Sequence, residues 1–206
     1  MDRYTIHRKS ITNNRPHFAG FFVNRNTIKI AVCGSASNTL PKKILQKARR
    51  VGEILAKNNI LLFTGATTGY SYVAAKGTYS SGGLTIGISP AESVKEHVDY
   101  YQLPTDVYKI IIYTGHGYKA RDIIMIRSVD AIILIGGGVG TLVELAAAID
   151  ANKVIGILKG SRGVTTLCKQ IGKFSHRVKP RFIFSSDPNT LINRVIKILK
   201  KNHDNK

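Results

Sequence analysis

The chain has 206 residues, 43% hydrophobic and 21% charged, with 19 glycines and 2 cysteines. That length suits one domain with its own core, and the composition excludes a disordered, collagenous or disulfide-stapled chain. The net charge of +19 would suggest a polyanionic partner, but residues 30–159 hold only +5 of it and the two ends carry the rest, so bulk charge is not the signature of the middle of the chain.

Residues 1–26 are polar, basic and without period, and read as a flexible arm preceding a single domain over 27–206. The opening MDRYTIHRKSITNNRPHF lacks the apolar run of a signal peptide. A strand is then expected at Ile28–Cys33, a helix with an apolar face at Pro41–Lys57, a strand at Ile60–Phe63, a small-residue helix near Ser71–Ser81 and a strand at Leu84–Ile88. A long connection, Ser89–Thr105, leads to a strand at Tyr108–Tyr113, a helix at Tyr118–Ser128 and a strand at Ala131–Ile135. A helix at Thr141–Ala151, a strand at Val154–Leu158, a weaker helix near Thr165–Lys173, a strand at Arg181–Phe184 and an amphipathic helix at Pro188–Lys200 complete the order. Continuously apolar strands alternating with helices predict a Rossmann-like, doubly wound parallel α/β sheet with helices on both faces. Ala131–Ile149 has the length of a membrane span, but Gly136, Gly137, Gly138, Gly140 and Glu144 within it fit a buried strand, a glycine turn and a helix better. We therefore expect a soluble, cytoplasmic protein.

In such sheets ligands sit beyond the carboxyl ends of the strands. Three of those ends are rich in small residues: Gly34-Ser35, the stretch from Gly65 to Gly69, and Gly136 through Thr141. Small side chains let a ligand approach the backbone, and free N–H groups at a helix start bind anions, so a nucleotide or sugar phosphate is the expected ligand. The dinucleotide fingerprint breaks at Thr141, and no Lys follows any loop as a Walker motif requires.

Glu144 stands one turn after Thr141, either closing a capping box or facing a ribose or water as a base. Arg121, in the first turn of its helix, opposes the helix dipole, which a bound phosphate or carboxylate would explain. Arg127 reads as structural, and His116 as a loop histidine near the mouth of the fourth strand. His97 lacks a second histidine at ligand spacing, so no metal site is expected.

These residues resemble the LOG (Lonely guy) family, long labelled lysine decarboxylases, within a wider superfamily of Rossmann-like nucleotide-binding proteins. Its P-G-G-x-G-T-x-x-E pattern corresponds to Gly136-Gly137-Gly138-Val139-Gly140-Thr141-Leu142-Val143-Glu144, and its R-K-x-x-M helix to Arg121-Asp122-Ile123-Ile124-Met125. Ser89-Pro90-Ala91-Glu92-Ser93-Val94-Lys95-Glu96-His97 is similar to a segment of a branch that includes proteins resembling molybdenum cofactor carriers. The resemblance implies catalytic roles for Arg121 and Glu144 and phosphate binding by Gly138, Gly140 and Thr141. Gly34, Ser35, Gly65, Gly69 and Gly137 complete the expected nucleotide site. The chain departs from the pattern at Gly136 for proline, Asp122 for lysine, Ala66 and Thr67 for glycines, and Tyr70-Ser71 for Leu-Met.

Three readings follow. In the first, the protein cleaves the N-glycosidic bond of a nucleoside 5′-monophosphate to free base and ribose 5-phosphate, with no metal or cofactor required. In the second it is a non-catalytic carrier or sensor of a nucleotide or of molybdenum cofactor. In the third, which is less favoured, the basic ends hold nucleic acid. Homodimerisation is implied by the resemblance alone, and no membrane partner is expected.

Overall fold

Seven strands among the described residues form one sheet, β1 (Lys29–Gly34), β2 (Leu61–Thr64), β3 (Thr85–Ser89), β4 (Ile110–Tyr113), β5 (Ala131–Ile135), β6 (Val154–Leu158) and β7 (Arg181–Ser185). They run parallel in the order β4-β3-β2-β1-β5-β6-β7. The computed structural model describes residues 27–37 and 39–204, so the expected arm over 1–26 lies outside the described residues.

The side chains of each central strand alternate between two cores. Ile30 and Val32 of β1 and Ile133 and Ile135 of β5 pack on one face, covered by α1 (Lys42–Lys57), α2 (Gly69–Ser80) and α6 (Pro188–Asp204). Ala31 and Cys33 of β1 and Ile132 and Leu134 of β5 pack on the other, under α3 (Gly117–Ser128), α4 (Val139–Asp150) and the short α5 (Cys168–Gly172). A strand buried on both faces reads as an unbroken apolar run, which is why periodicity finds these strands. α1 and α2 cross closely because Gly52 and Gly77 have no side chains: a Cβ on Gly52 would stand 1.9 Å from the Ala74 carbonyl oxygen, and one on Gly77 2.2 Å from that of Arg49.

Two expected elements differ. The helix expected near Thr165–Lys173 divides into a 3₁₀ turn at Gly163–Thr166 and α5, because Thr165 and Thr166 return their hydroxyls to the Arg162 and Gly163 carbonyls. The connection Ser89–Thr105 contains a π-helical turn, Glu96–Tyr100, and locks itself. The Ala91 N–H donates to Ser89 Oγ (3.0 Å), the Glu96 N–H to Ser93 Oγ (3.2 Å) and the Glu92 N–H to Glu96 Oε2 (2.6 Å). His97 is fully buried between Ser89 Oγ (2.8 Å) and the Pro104 carbonyl (3.2 Å). The serines, glutamate and histidine of this segment thus hold its own backbone. No group of metal-binding side chains occurs among the described residues, nor does any described helix have the length and apolarity to cross a membrane. Cys33 and Cys168 are buried free thiols.

Because β1 lies between β2 and β5, the strand order reverses there, and a crevice opens beyond the carboxyl ends of β1 and β5.

Candidate functional site

That crevice is a cavity of about 340 Å³, within the range of small-molecule sites. Of the residues expected to bind or act, Gly34, Ser35, Gly65, Arg121, Gly138, Gly140, Thr141 and Glu144 line it. Gly69 and Gly137 lie behind the wall. Gly69, at φ +80°, lets the loop after β2 lie on the loop after β1, where the Tyr70 N–H donates to the Ser35 carbonyl (3.0 Å). Gly137, at φ +99°, turns the chain so that Thr141 packs against it.

The loop before α4 carries one departure, Gly136, beside another, Tyr70. Gly136 takes φ +62° and its N–H donates to Ser161 Oγ (2.8 Å). Proline has neither that φ nor that hydrogen. A Cβ on Gly136 would stand 2.8 Å from the Ser161 carbonyl oxygen and 3.1 Å from Cε2 of the buried Tyr70, so backbone first and Tyr70 second leave no room for a side chain. Ala66 holds φ +52° where the resembled pattern has glycine.

α4 begins after Gly138, and no side chain caps its first N–H groups. The capping-box alternative fails here: Thr141 and Glu144 both lie inside the helix, not at its cap. Around Gly138 and Gly140 the space a Cβ would take holds no atom within 4 Å. These two glycines serve no packing purpose of the protein itself and border open volume at the positive end of the helix.

On the facing wall, α3 supplies Arg121, only 4% exposed, and Asp122. Arg121 Nη1 lies 2.7 Å from Asp122 Oδ1. The guanidinium rests on Gly65, where a Cβ would stand 1.9 Å from Nη1, and its buried Nε has no partner. Gly65 is thus small to admit Arg121. Glu144, 8% exposed, has its carboxyl raised to about 8, chiefly by burial and then by the Asp122 carboxylate; Arg121 opposes this, as do hydrogen bonds from Cys33 and Thr141. Burial also raises Asp122, and burial followed by the Glu144 charge raises Cys33. Burial thus favours the protonated form of Glu144, while Arg121 and Asp122 offset each other's charge.

Thr67 and Ser71, which replace a glycine and a methionine of the resembled pattern, also line the cavity, as do Tyr118, Lys119 and Cys33, which the sequence reading does not place in the site. Tyr118 is accessible to it, standing three residues before Arg121 on the same helical face. Cys33 is not, since its contact with Glu144 joins the end of β1 to α4, far along the chain. His116 precedes α3 outside the lining, bonding through Nδ1 to the Thr114 carbonyl, and Arg127 sits in the last turn of α3, away from the cavity.

Comparison with known proteins agrees with this architecture. An uncharacterized protein of Archaeoglobus fulgidus is 38% identical over 112 residues, covering 54% of this chain and 68% of that one. The molybdenum cofactor binding protein of Rippkaea orientalis superposes with a TM-score of 0.71 at 28% identity, covering 85% of this chain and 99% of that chain. The molybdenum cofactor carrier protein of Chlamydomonas reinhardtii gives 0.69 at 26% identity, over 84% and 99%. Residues 27–192 match the SLOG cluster 4 family, and with its Rossmann-like sheet and glycine-loop crevice the chain belongs to that family of the LOG-like superfamily.

Proposed function

We propose that the crevice binds and retains a phosphorylated, nucleotide-like small molecule, and that the protein is a carrier or sensor of it. The observation that carries this reading is the 2.7 Å pair of Arg121 with Asp122 inside the cavity. Glycosidic cleavage would draw on Arg121 to offset charge at the reacting end, and here that charge is already matched. The free N–H groups of α4 and the open volume at Gly138 and Gly140 support an anion at that wall, and the unpartnered Nε of Arg121 offers a further donor. Molybdenum cofactor, a pterin ending in a phosphate and the cargo named for two similar structures, suits these donors. Its phosphate would rest on the start of α4 and its ring system would reach toward α3.

A second reading, hydrolysis of a nucleoside 5′-monophosphate, is favoured by one observation. Glu144 is buried in the cavity with its carboxyl at about 8, a value suited to proton transfer near neutral pH. Incubating the protein and Glu144→Gln with a panel of nucleoside 5′-monophosphates and a phosphorylated pterin separates the readings. Retention predicts protection against heat with the ligand recovered intact. Free base released by the parent and not by Glu144→Gln would establish the hydrolase instead.

Homodimerisation is part of the same proposal. The edge strand β4 leaves Ile110 and Ile112 about half exposed, and α3 leaves Ile123 and Ile124 exposed; apolar surface of this kind favours self-association. Sedimentation at micromolar concentration reads it directly.

A further inference from the structure

Tyr118 is the single aromatic side chain among the residues that line the cavity. This residue stands in the first turn of α3, 45% exposed, at the place where the helix starts from Gly117 at φ +63°. Its ring is nonetheless held. The Arg121 guanidinium carbon lies 5.7 Å from the ring centroid, and Tyr101 meets the ring edge-to-face at 5.4 Å with planes at 89°. Tyr101 is braced in the same way by Tyr100 at 5.0 Å. An exposed aromatic ring already fixed on two sides loses little conformational freedom when a ligand covers it.

The two walls therefore offer different chemistry. The α4 wall offers backbone N–H groups and bare glycines, which suit an anion, and the α3 wall offers a partly exposed aromatic ring braced by Arg121 and Tyr101. We propose that Tyr118 is the stacking platform for the planar heteroaromatic ring of the ligand, so that a nucleotide-like molecule is gripped by its phosphate on α4 and by its ring on α3. The inference rests on the reading that the cavity takes a phosphorylated nucleotide-like ligand. Every nucleobase or pterin has a π face, so this platform selects for a ring without choosing which.

The test compares AMP and GMP with ribose 5-phosphate, which has the phosphate and sugar but no ring. Calorimetry is run on the parent, Tyr118→Phe, Tyr118→Leu and Tyr118→Ala, with thermal melts as a fold control. Loss of one stacked base weakens binding roughly ten- to hundredfold. Tyr118→Ala is expected to lose about that factor for both nucleotides while binding ribose 5-phosphate as the parent does. Tyr118→Leu should fall between, and Tyr118→Phe should bind like the parent. Equal weakening of nucleotide and ribose 5-phosphate, or of neither, overturns the stacking role while leaving the cavity reading intact. A parent that binds none of the three removes the cavity reading for these ligands, and the inference falls with it.

Discussion

Glycines at two places in this molecule look alike in the sequence and do opposite things. At the crossing of α1 and α2, Gly52 and Gly77 are pressed by backbone: the space of a Cβ is already taken by the Ala74 and Arg49 carbonyls. At the start of α4, Gly138 and Gly140 have nothing within 4 Å of that space. The first pair is small so that the protein can close on itself. The second pair keeps that space open on the wall of the cavity, as the proposed anion site requires. Gly65 lies between the two cases, since what fills its space is the Arg121 side chain, itself part of the site.

Substitution should separate these roles. The largest effect is expected for Gly52→Ala, where a methyl would overlap backbone of the neighbouring helix. Overpacking of this kind costs about 1–3 kcal/mol or more, and urea unfolding should show it, with the affinity of the remaining folded protein unchanged. Gly140→Ala should do the reverse. Replacing glycine in a helix with alanine stabilises by up to about 1 kcal/mol, so the unfolding midpoint should stay or rise. Binding of a nucleoside monophosphate should meanwhile weaken at least about tenfold, or about 1.4 kcal/mol. A Gly140→Ala protein that melts early and binds normally would show that Gly140 is small for packing, as Gly52 is.

A smaller effect should appear in the pH dependence of stability. The Glu144 carboxyl is raised from 4.5 to about 8, first by burial and then by Asp122. Between about pH 4.5 and pH 8 the folded state keeps a proton that the unfolded chain has released, so this group's contribution to stability is greatest below that window and declines as pH rises through it. Asp122, raised by burial, acts in the same sense. Glu144→Gln cannot ionise, so its melting temperature should fall less than the parent's between pH 5 and pH 9. Parallel curves would show that Glu144 is solvated and ionised like a surface carboxylate.

How much of this could be read in advance follows from where the information lies. The parallel sheet and its helices were legible because each strand is a short continuous apolar run and each turn is punctuated by glycine, both properties of neighbouring residues. The weaker helix near Thr165 reads as one element and divides in the structure, because hydroxyl groups returning to their own backbone compete with the helix, which an apolar count does not register. Arg121 and Glu144 stood out from local rules, one by opposing a helix dipole and the other by its spacing from Thr141.

What a sequence read by neighbours determines here is the succession of elements, the edge of the sheet where glycines gather, and the candidate charges on that edge. What only the tertiary structure decided is how those charges are spent. Asp122 pairs with Arg121, Cys33 and Thr141 lie against Glu144, Tyr70 lies beside the turn at Gly136, and Tyr118 lines the cavity. Two of these contacts, Cys33 with Glu144 and Tyr70 with Gly136, join residues far apart in the chain, and a carboxyl group's proton affinity depends on the water removed from around it. Periodicity and turn chemistry are silent on both until the sheet has closed.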